Sequence, residues 1–227
     1  MGRNIQLITA DIYKIVKRGG CPVCTHLEDV LFGFLSTEQH AIAETESGRA
    51  AYVDEKGYCP RHTWQLAGFL AKIGVAKGFS SLLSRFSEEL THIVEHGNPR
   101  LIDRDTIVRS KETCRVCKML RDEEEKYISL LAESFEENEV RAIYVSCQGV
   151  CLGHLDRLLK TVTSADTARF LVLHTVQRFQ EVARDLKGYA EKRETRMSGA
   201  YTKDEQNADL RAVNLIAGSK NIVAGFD

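Results

Sequence analysis

The sequence predicts an all-α protein with two homologous helical lobes, each carrying one Cys3His metal-binding motif. Three observations lead to this prediction: apolar residues recur at steps of three and four, alternating strand patterns are scarce, and one arrangement of cysteines and histidines occurs twice. The chain has 227 residues, 43% of them hydrophobic and only three of them proline. A chain of that length can bury a core without disulfide bonds.

Apolar stripes with helical spacing predict the individual helices. In the first lobe they cover residues 25–36, 63–74 and 79–95, and in the second lobe 115–134, 154–162 and 166–190. Gly97, Asn98 and Pro99 are expected to end the last helix of the first lobe. Trp64 and Phe69 fall within the second stripe, so we expect both side chains in the core.

The domain organisation follows from the repeat. We expect an N-terminal helix at 1–17, helical metal-binding repeats at 18–100 and 111–194, and a C-terminal extension at 195–227. Within the extension, the polar residues 195–207 are typical of a loop. A last short helix is predicted from Ala208 to Ala217.

The repeat itself is defined by cysteine and histidine spacing. Cys21-x2-Cys24 is followed by Cys59-x2-His62, and Cys114-x2-Cys117 is followed by Cys151-x2-His154. The second pair begins 35 positions after the first pair ends in one lobe and 34 positions after it in the other. Residues 49–62 and 141–154 also share Arg, Ala, Tyr, Val and Gly at the same relative places. Agreement in one register over this distance indicates an internal duplication.

Each Cys3His set matches the ligand preference of zinc, which takes four thiolate or imidazole donors in a tetrahedron. A C-x2-C or C-x2-H pair at a helix start places two donors within reach of one ion, and exposed backbone N–H groups there stabilise thiolates. We therefore predict two zinc ions with ligands from within each lobe. The predicted sets are Cys21, Cys24, Cys59 and His62 for one ion, and Cys114, Cys117, Cys151 and His154 for the other.

Three other interpretations of the cysteines remain open. The first is that they are reduced, buried side chains that act as small hydrophobes. The second is a [4Fe–4S] cluster, although such clusters are usually held by four cysteines. The third is thiol–disulfide chemistry at Cys21-Pro22-Val23-Cys24, although the βαβ pattern that accompanies such redox motifs is missing.

Several residues outside the repeat have simpler interpretations. Cys147, four positions before Cys151, is expected to be a free thiol, although it is a possible extra ligand of the second site. His92 and His96 lie four apart on a helix and are expected on a solvated face. The acidic run at 123–125 is also expected to face solvent. No catalytic residue is assigned, because no hydrolase or nucleotide-binding motif is present.

Composition and the absence of targeting patterns favour a cytoplasmic protein. No apolar signal segment follows Met1, and the most apolar stretch, 66–76, is interrupted by Lys72 and too short to span a bilayer. Cytoplasmic thiols stay reduced, which favours metal ligation over structural disulfides. The net charge of −1 argues against broad binding to nucleic acids or anionic membranes. The expected partner is therefore a protein or a small molecule.

The motifs resemble an uncharacterised prokaryotic family. Its pattern is C-P-x-C together with G-[FY]-C-x-x-H, repeated in one helical chain, and the first copy here carries it at 21–24 and 57–62. In the second copy Arg115 replaces the proline and Val150 replaces the aromatic residue. The resemblance brings no established activity with it.

Two functional hypotheses follow. The first is a cytoplasmic metalloprotein with two mainly structural Cys3His sites and a binding or regulatory role, since a full ligand set leaves no open position for substrate. The second is an iron–sulfur or thiol redox protein, or a carrier, that acts in electron transfer, sulfur handling or metal delivery.

Overall fold

The computed structural model describes residues 12–15, 18–98, 109–195 and 201–222. Within these ranges the regular structure is helical throughout, with no strand, so the all-α prediction is confirmed. The helices are α1 (Pro22–Glu44), α2 (Glu46–Asp54), α3 (Pro60–Phe69), α4 (Lys72–His96), α5 (Arg115–Ser134), α6 (Asn138–Val145), α7 (Leu152–Thr161), α8 (Ala165–Glu194), α9 (Lys203–Gln206) and α10 (Ala208–Ala217). None of these helices is both long and apolar enough to cross a membrane.

The chain forms two compact units. Unit A comprises Met1–Glu28 and Glu123–Asp227, and unit B comprises Asp29–Asp122. The largest fully buried side chains of unit A include Leu131, Phe135, Tyr144, Leu158 and Leu171. Those of unit B include Leu35, Ile42, Tyr52 and Leu66. The predicted repeats at 18–100 and 111–194 concern sequence similarity and stay a prediction.

Several predicted helices agree closely with the structure, and one is wrong. The expected helices at 115–134 and 208–217 coincide with α5 and α10. The expected helix at 63–74 does not exist as one piece, because Leu70 and Ala71 adopt extended backbone between α3 and α4. The ψ angles of 131° and 157° at these two residues cannot continue a helix.

Trp64 is the clearest error in the predicted core. Its side chain is 80% exposed on α3, because Leu66 and Leu70 provide the buried face of that segment. The predicted loop at 195–207 is also partly wrong, since it contains α9, which begins with a capping box between Thr202 and Glu205. Of the predicted N-terminal helix, residues 12–15 are helical, and residues 1–11 and 16–17 lie outside the described residues.

Helices α2 and α6 were not predicted, and they support the turns that precede the C-x2-H pairs. Each is short, with nine and eight residues, and each buries one tyrosine completely, Tyr52 in α2 and Tyr144 in α6. The Tyr144 hydroxyl accepts a hydrogen bond from the backbone N–H of Val150, next to Cys151, at 3.1 Å. The shared Tyr-Val of the two sequence repeats therefore belongs to these supporting helices.

Candidate metal centres

The eight predicted ligands gather into two clusters. We call them site A, which contains Cys21, Cys24, Cys151 and His154, and site B, which contains Cys59, His62, Cys114 and Cys117. Within each site the four donor atoms all lie within 4.8 Å of one another. Either cluster can hold a metal ion.

The predicted partition of the ligands is wrong. Each site combines the C-x2-C pair of one sequence repeat with the C-x2-H pair of the other, and not two pairs from the same repeat. Spacing along the chain brings the two members of a pair together, because both sit at one helix start. Which pairs then meet depends on long-range packing, and site A lies wholly within unit A while site B lies wholly within unit B.

All four pairs occupy the same position, the first turn of a helix. The first cysteine of each pair precedes the helix, and its carbonyl accepts the first helical hydrogen bond, as Cys21 does from Thr25 at 3.0 Å and Cys151 from Leu155 at 2.8 Å. The positive end of the helix dipole therefore faces the thiolates. Gly57 and Gly149 precede the C-x2-H pairs with φ of 68° and 89°, a left-handed backbone conformation that glycine adopts without strain and that allows the tight turn before each pair.

The spacing between donor atoms fits one tetrahedral ion per site. Zinc–sulfur bonds of about 2.3 Å and zinc–nitrogen bonds of about 2.05 Å require edges of about 3.8 Å between sulfurs and about 3.5 Å from sulfur to nitrogen. In site A the His154 Nδ1 lies 3.1–3.4 Å from the three sulfurs, and the Cys24 and Cys151 sulfurs are 3.9 Å apart. In site B the corresponding distances from His62 Nδ1 are 3.2–3.6 Å, and the Cys59 and Cys117 sulfurs are 3.7 Å apart.

Site A is supported by a buried carboxylate that the sequence analysis missed. Glu124 was expected on a solvated face, but its side chain is buried and accepts a hydrogen bond from His154 Nε2 at 2.9 Å. Its second oxygen pairs with Arg157 at 2.9 Å. A carboxylate on the outer nitrogen of a ligand histidine fixes its tautomer and ring orientation. The hydrogen bond to the carboxylate places the proton on Nε2 and leaves the lone pair of Nδ1 available to bind a metal ion.

The electrostatics of His154 show how strongly these neighbours act. Burial lowers the pKa of His154, but hydrogen bonds with Cys151, Cys24 and Glu124 outweigh burial and raise it to about 11. A metal ion can bind Nδ1 only when that nitrogen carries no proton. Metal binding at His154 therefore releases a proton.

The C-terminal end of the described chain closes over site A. A Cβ at Gly218 would lie 3.0 Å from the Cys24 sulfur and 3.2 Å from the Cys151 sulfur, so only glycine fits there. The backbone N–H of Ser219 donates to the Cys24 sulfur at 3.5 Å, and the Ser219 hydroxyl donates to Glu28. This segment thus contributes a backbone donor and a steric cover to the thiolates.

Site B is surrounded by a charged and aromatic network instead. Arg115, which follows Cys114, pairs with Glu38 at 2.7 Å and Glu55 at 3.1 Å, and donates to the Tyr58 hydroxyl at 3.1 Å. Its guanidinium also lies 5.1 Å from the centre of the Phe34 ring. Arg115 is the residue that replaces proline in the second copy of the motif, and this network gives the replacement a structural role.

Within each site the thiols differ in acidity. Hydrogen bonds from neighbouring thiols lower the pKa of Cys114 and of Cys151. The same kind of contact raises the pKa of Cys117, while burial raises that of Cys21. The pKa of Cys59 is lowered as well, because its hydrogen bonds outweigh burial and the contact with Cys114. Full coordination of a metal ion must therefore release protons from the thiols whose pKa is raised.

The other histidines and the seventh cysteine stay outside both clusters. Cys147 is buried, with only 3% of its surface exposed, and its sulfur accepts a hydrogen bond from the Gly149 N–H at 3.3 Å. His92 and His96 stack on each other on an exposed face of α4. His174 is buried beside Tyr144, with ring centres 4.7 Å apart. The expectations of a free thiol at Cys147 and a solvated His92–His96 face agree with the structure.

The fold and the two centres define an all-α protein with two Cys3His clusters that can hold metal. The chain belongs to a family of unknown function, DUF6062, whose model matches residues 4–222. The predicted membership of an uncharacterised family is thus confirmed. Neither a curated protein nor a solved structure matches the chain.

Proposed function

We propose that sites A and B each hold one structural Zn²⁺ ion, and that the protein is a zinc-stabilised helical scaffold with a binding or regulatory role. The observation that carries this proposal is the tetrahedral spacing of four donor atoms in each site. Three thiolates and one imidazole are a ligand set typical of structural zinc.

The ligand sets favour a structural over a catalytic ion. Catalytic zinc keeps one position open for water or substrate, whereas each of these sites offers four protein donors. Each ion would also close a long loop, with 127 residues separating Cys24 from Cys151 and 58 separating Cys59 from Cys117. Only the folded chain brings the ligands at the two ends of each loop together. The free energy of metal binding therefore adds to the free energy of folding.

The binding role would use surfaces that the ions hold in place. A cleft of about 490 Å³ borders Cys21 and Cys24 and has Leu210 and Val213 of α10 on its apolar side. This volume lies in the range that small-molecule sites occupy. The partner that fits this cleft is a small molecule or a protein segment. The location that fits the proposal is the cytoplasm, because thiols remain reduced there.

The spacing of donors disfavours the iron–sulfur alternative. In a [4Fe–4S] cluster the four protein ligands bind four different irons, so they stand around a cube and not around a point. Donor atoms that all lie within 4.8 Å of one another are too close together for such a cluster, and their spacing suits one ion per site.

Elemental analysis tests the proposal directly. We expect the protein purified without oxygen to be colourless and to contain two zinc ions per chain, and Co²⁺ replacement to give the visible bands of tetrahedral thiolate-bound cobalt at both sites. A brown protein with iron and acid-labile sulfide would overturn the zinc assignment. Full secondary structure and unchanged thermal stability after metal removal would overturn the structural role.

A further inference from the structure

His174 is a buried histidine that neither metal site uses. It lies on α8 with 4% of its surface exposed, and neither of its ring nitrogens has a hydrogen-bond partner among the described residues. Buried polar groups in proteins are nearly always paired, because burial removes the hydrogen bonds that water would provide. The surroundings of His174 must therefore explain why an unpaired imidazole stands in this position.

The imidazole packs against the segment that leads into the C-x2-H pair of site A. We call this segment, residues 146–150, the site A turn. A Cβ at Gly149 of the turn would lie 3.2 Å from the Nδ1 and Cε1 atoms of His174, and the ring centre of Tyr144 is 4.7 Å from that of His174. The Tyr144 hydroxyl also accepts a hydrogen bond from the backbone of the turn. Cys151 follows the turn directly, so this packing helps to position the C-x2-H ligands of site A.

Unit B has a leucine in the place that His174 occupies in unit A. A Cβ at Gly57, the glycine before the C-x2-H pair of site B, would lie 2.9 Å from Leu82 Cδ2 and 3.2 Å from the Tyr52 hydroxyl. The offset of 92 positions between Leu82 and His174 also separates the two C-x2-H pairs. An apolar side chain therefore suffices to support such a turn, and the imidazole adds a group that can take up a proton.

The charges around His174 favour its neutral form. Arg178 lies one helical turn further along α8, where its guanidinium donates to the Val145 carbonyl at 3.1 Å and pairs with Glu181 at 2.8 Å. Burial and the positive charge of Arg178 lower the pKa of His174. The nearby carbonyl and carboxylate raise this pKa, but they offset the lowering only in part. A proton on His174 would thus add a second positive charge beside a carboxylate that Arg178 already holds.

The other titratable groups of this pocket do not balance that charge. Tyr144 of α6 and Cys147 of the site A turn stay neutral, because burial raises the pKa of each. A protonated imidazole carries two N–H donors, and burying them without acceptors costs more than exposing them to water. Protonation of His174 therefore favours an arrangement in which water reaches the ring.

We propose that His174 is an acid-sensitive positioning residue of site A, and that its protonation detaches the site A turn from α8. The detached turn moves Cys151 and His154 away from the two other ligands, and site A then releases its ion. The inference rests on the zinc ion proposed for site A. Site B, with Leu82 in the corresponding place, lacks this response.

Zinc affinity as a function of pH tests the proposal in a chain that retains site A alone. Competition with a chelator measures the affinity of Cys59→Ser protein with and without His174→Leu, from about pH 7.5 to about pH 5, on both sides of the ordinary histidine pKa of about 6.5. Above that pKa both proteins should show the same slope. As the pH falls below it, the chain with His174 should lose about tenfold more affinity per pH unit, because opening the turn takes up one extra proton. The extra loss should end below the lowered pKa of His174, where the closed turn is protonated as well.

Two controls separate titration from packing. His174→Leu in Cys21→Ser protein, which retains site B alone, should leave the pH slope unchanged. Phe170→Leu in Cys59→Ser protein removes a ring whose centre is 6.4 Å from that of His174, but it keeps the titrating group. This variant should bind zinc less tightly at every pH and retain the steeper slope in acid.

The slopes also distinguish failure of this inference from failure of the zinc proposal. Equal slopes with and without His174, in chains that bind zinc, would overturn the inference and leave the zinc proposal standing. Absence of bound zinc from the wild-type chain at every pH would overturn both. Side-chain NMR of the zinc-loaded wild-type protein gives the pKa of His174 without any substitution, so it decides the question even where a variant does not fold. We expect a value below about 6.5, and an equal or higher value would overturn the inference.

Discussion

Sites A and B have the same donors but opposite surroundings. In site A all four ligands are buried, the histidine rests on the buried Glu124, and Gly218 and Ser219 cover two sulfurs. In site B Cys117 is partly exposed, and support comes from the half-exposed ion pairs of Arg115. The donor set fixes which metal can bind, and the surroundings fix how easily that metal leaves.

The difference has a sequence origin. The 93-residue offset between the C-x2-C pairs places Leu31 where the second repeat has Glu124, and leucine cannot accept a hydrogen bond from an imidazole. Gly218 and Ser219, which cover site A, lie in the C-terminal extension outside both sequence repeats, so site B has no counterpart of them in the repeat. We therefore expect site A to hold its ion almost permanently and site B to exchange its ion more readily.

The largest expected effect comes from breaking the two sites in different combinations. Cys21→Ser with Cys151→Ser removes two ligands of one site and should cost one zinc ion per chain. Cys21→Ser with Cys59→Ser removes one ligand from each site and should cost both ions. Elemental analysis of the folded fraction distinguishes these outcomes, and the reverse result would restore the pairing of ligands within each sequence repeat.

The second prediction concerns the rate of metal loss. With excess chelator, zinc release from the wild-type protein should be biphasic, and the fast phase should be about tenfold or more faster, because solvent reaches Cys117. Cys59→Ser should retain only the slow phase, and Cys21→Ser only the fast phase. A single phase, or the opposite assignment of the phases, would show that the surroundings of the two sites do not control exchange.

The third prediction isolates the carboxylate. Glu124→Gln should weaken zinc binding at site A by about 10- to 100-fold, because the histidine loses its charged acceptor. Glu125→Gln changes the neighbouring exposed carboxylate and should have no effect. Competition with a zinc indicator measures both affinities. Equal effects of the two variants would assign the loss to net charge and not to the hydrogen bond with His154.

Local features of these sites could be predicted from the sequence, and long-range ones could not. The spacing of each pair, the helix starts behind them and α5 depend on neighbours within a few turns. The choice of partner pair for Cys21 depends on packing across more than 120 residues, which no spacing encodes. Glu124 was missed for a similar reason, since its partner His154 is 30 residues away.

Trp64 and α2 show a second limit of pattern-based prediction. A stripe of apolar residues predicts a buried face, but it does not distinguish a face covered by the same chain from one left open, as at Trp64. Helix α2 has only nine residues and one buried side chain, so its periodicity is too short to detect. The helix breaks at Leu70 and Ala71, and neither residue is a proline or a glycine, so their residue types do not indicate the break.

The fourth prediction tests the cover over site A. Gly218→Ala should destabilise unit A by about 1–3 kcal/mol, because φ of 75° with ψ of −163° is a glycine conformation. The new Cβ would also press on the Cys24 sulfur, so the slow phase of zinc release should become faster. Gly19→Ala is the control, since φ is 74° there but nothing lies within 4 Å of the added Cβ. Unchanged release in Gly218→Ala would remove the covering role of this segment.

The smallest effect is expected at Cys147, which lies four residues before the site A ligand Cys151 but belongs to neither cluster. Cys147→Ser should leave two zinc ions per chain, because all four donors of site A lie elsewhere.

Burial raises the pKa of Cys147 to about 11, so the folded thiol stays neutral while the thiol of an unfolded chain ionises near pH 8.5. The stabilisation from this difference is complete below about pH 8 and declines as pH rises toward 11. Urea unfolding at pH 8 and pH 10 should show a smaller loss of stability for Cys147→Ala than for the wild type, and an equal loss in both would show that this thiol does not titrate as its burial predicts.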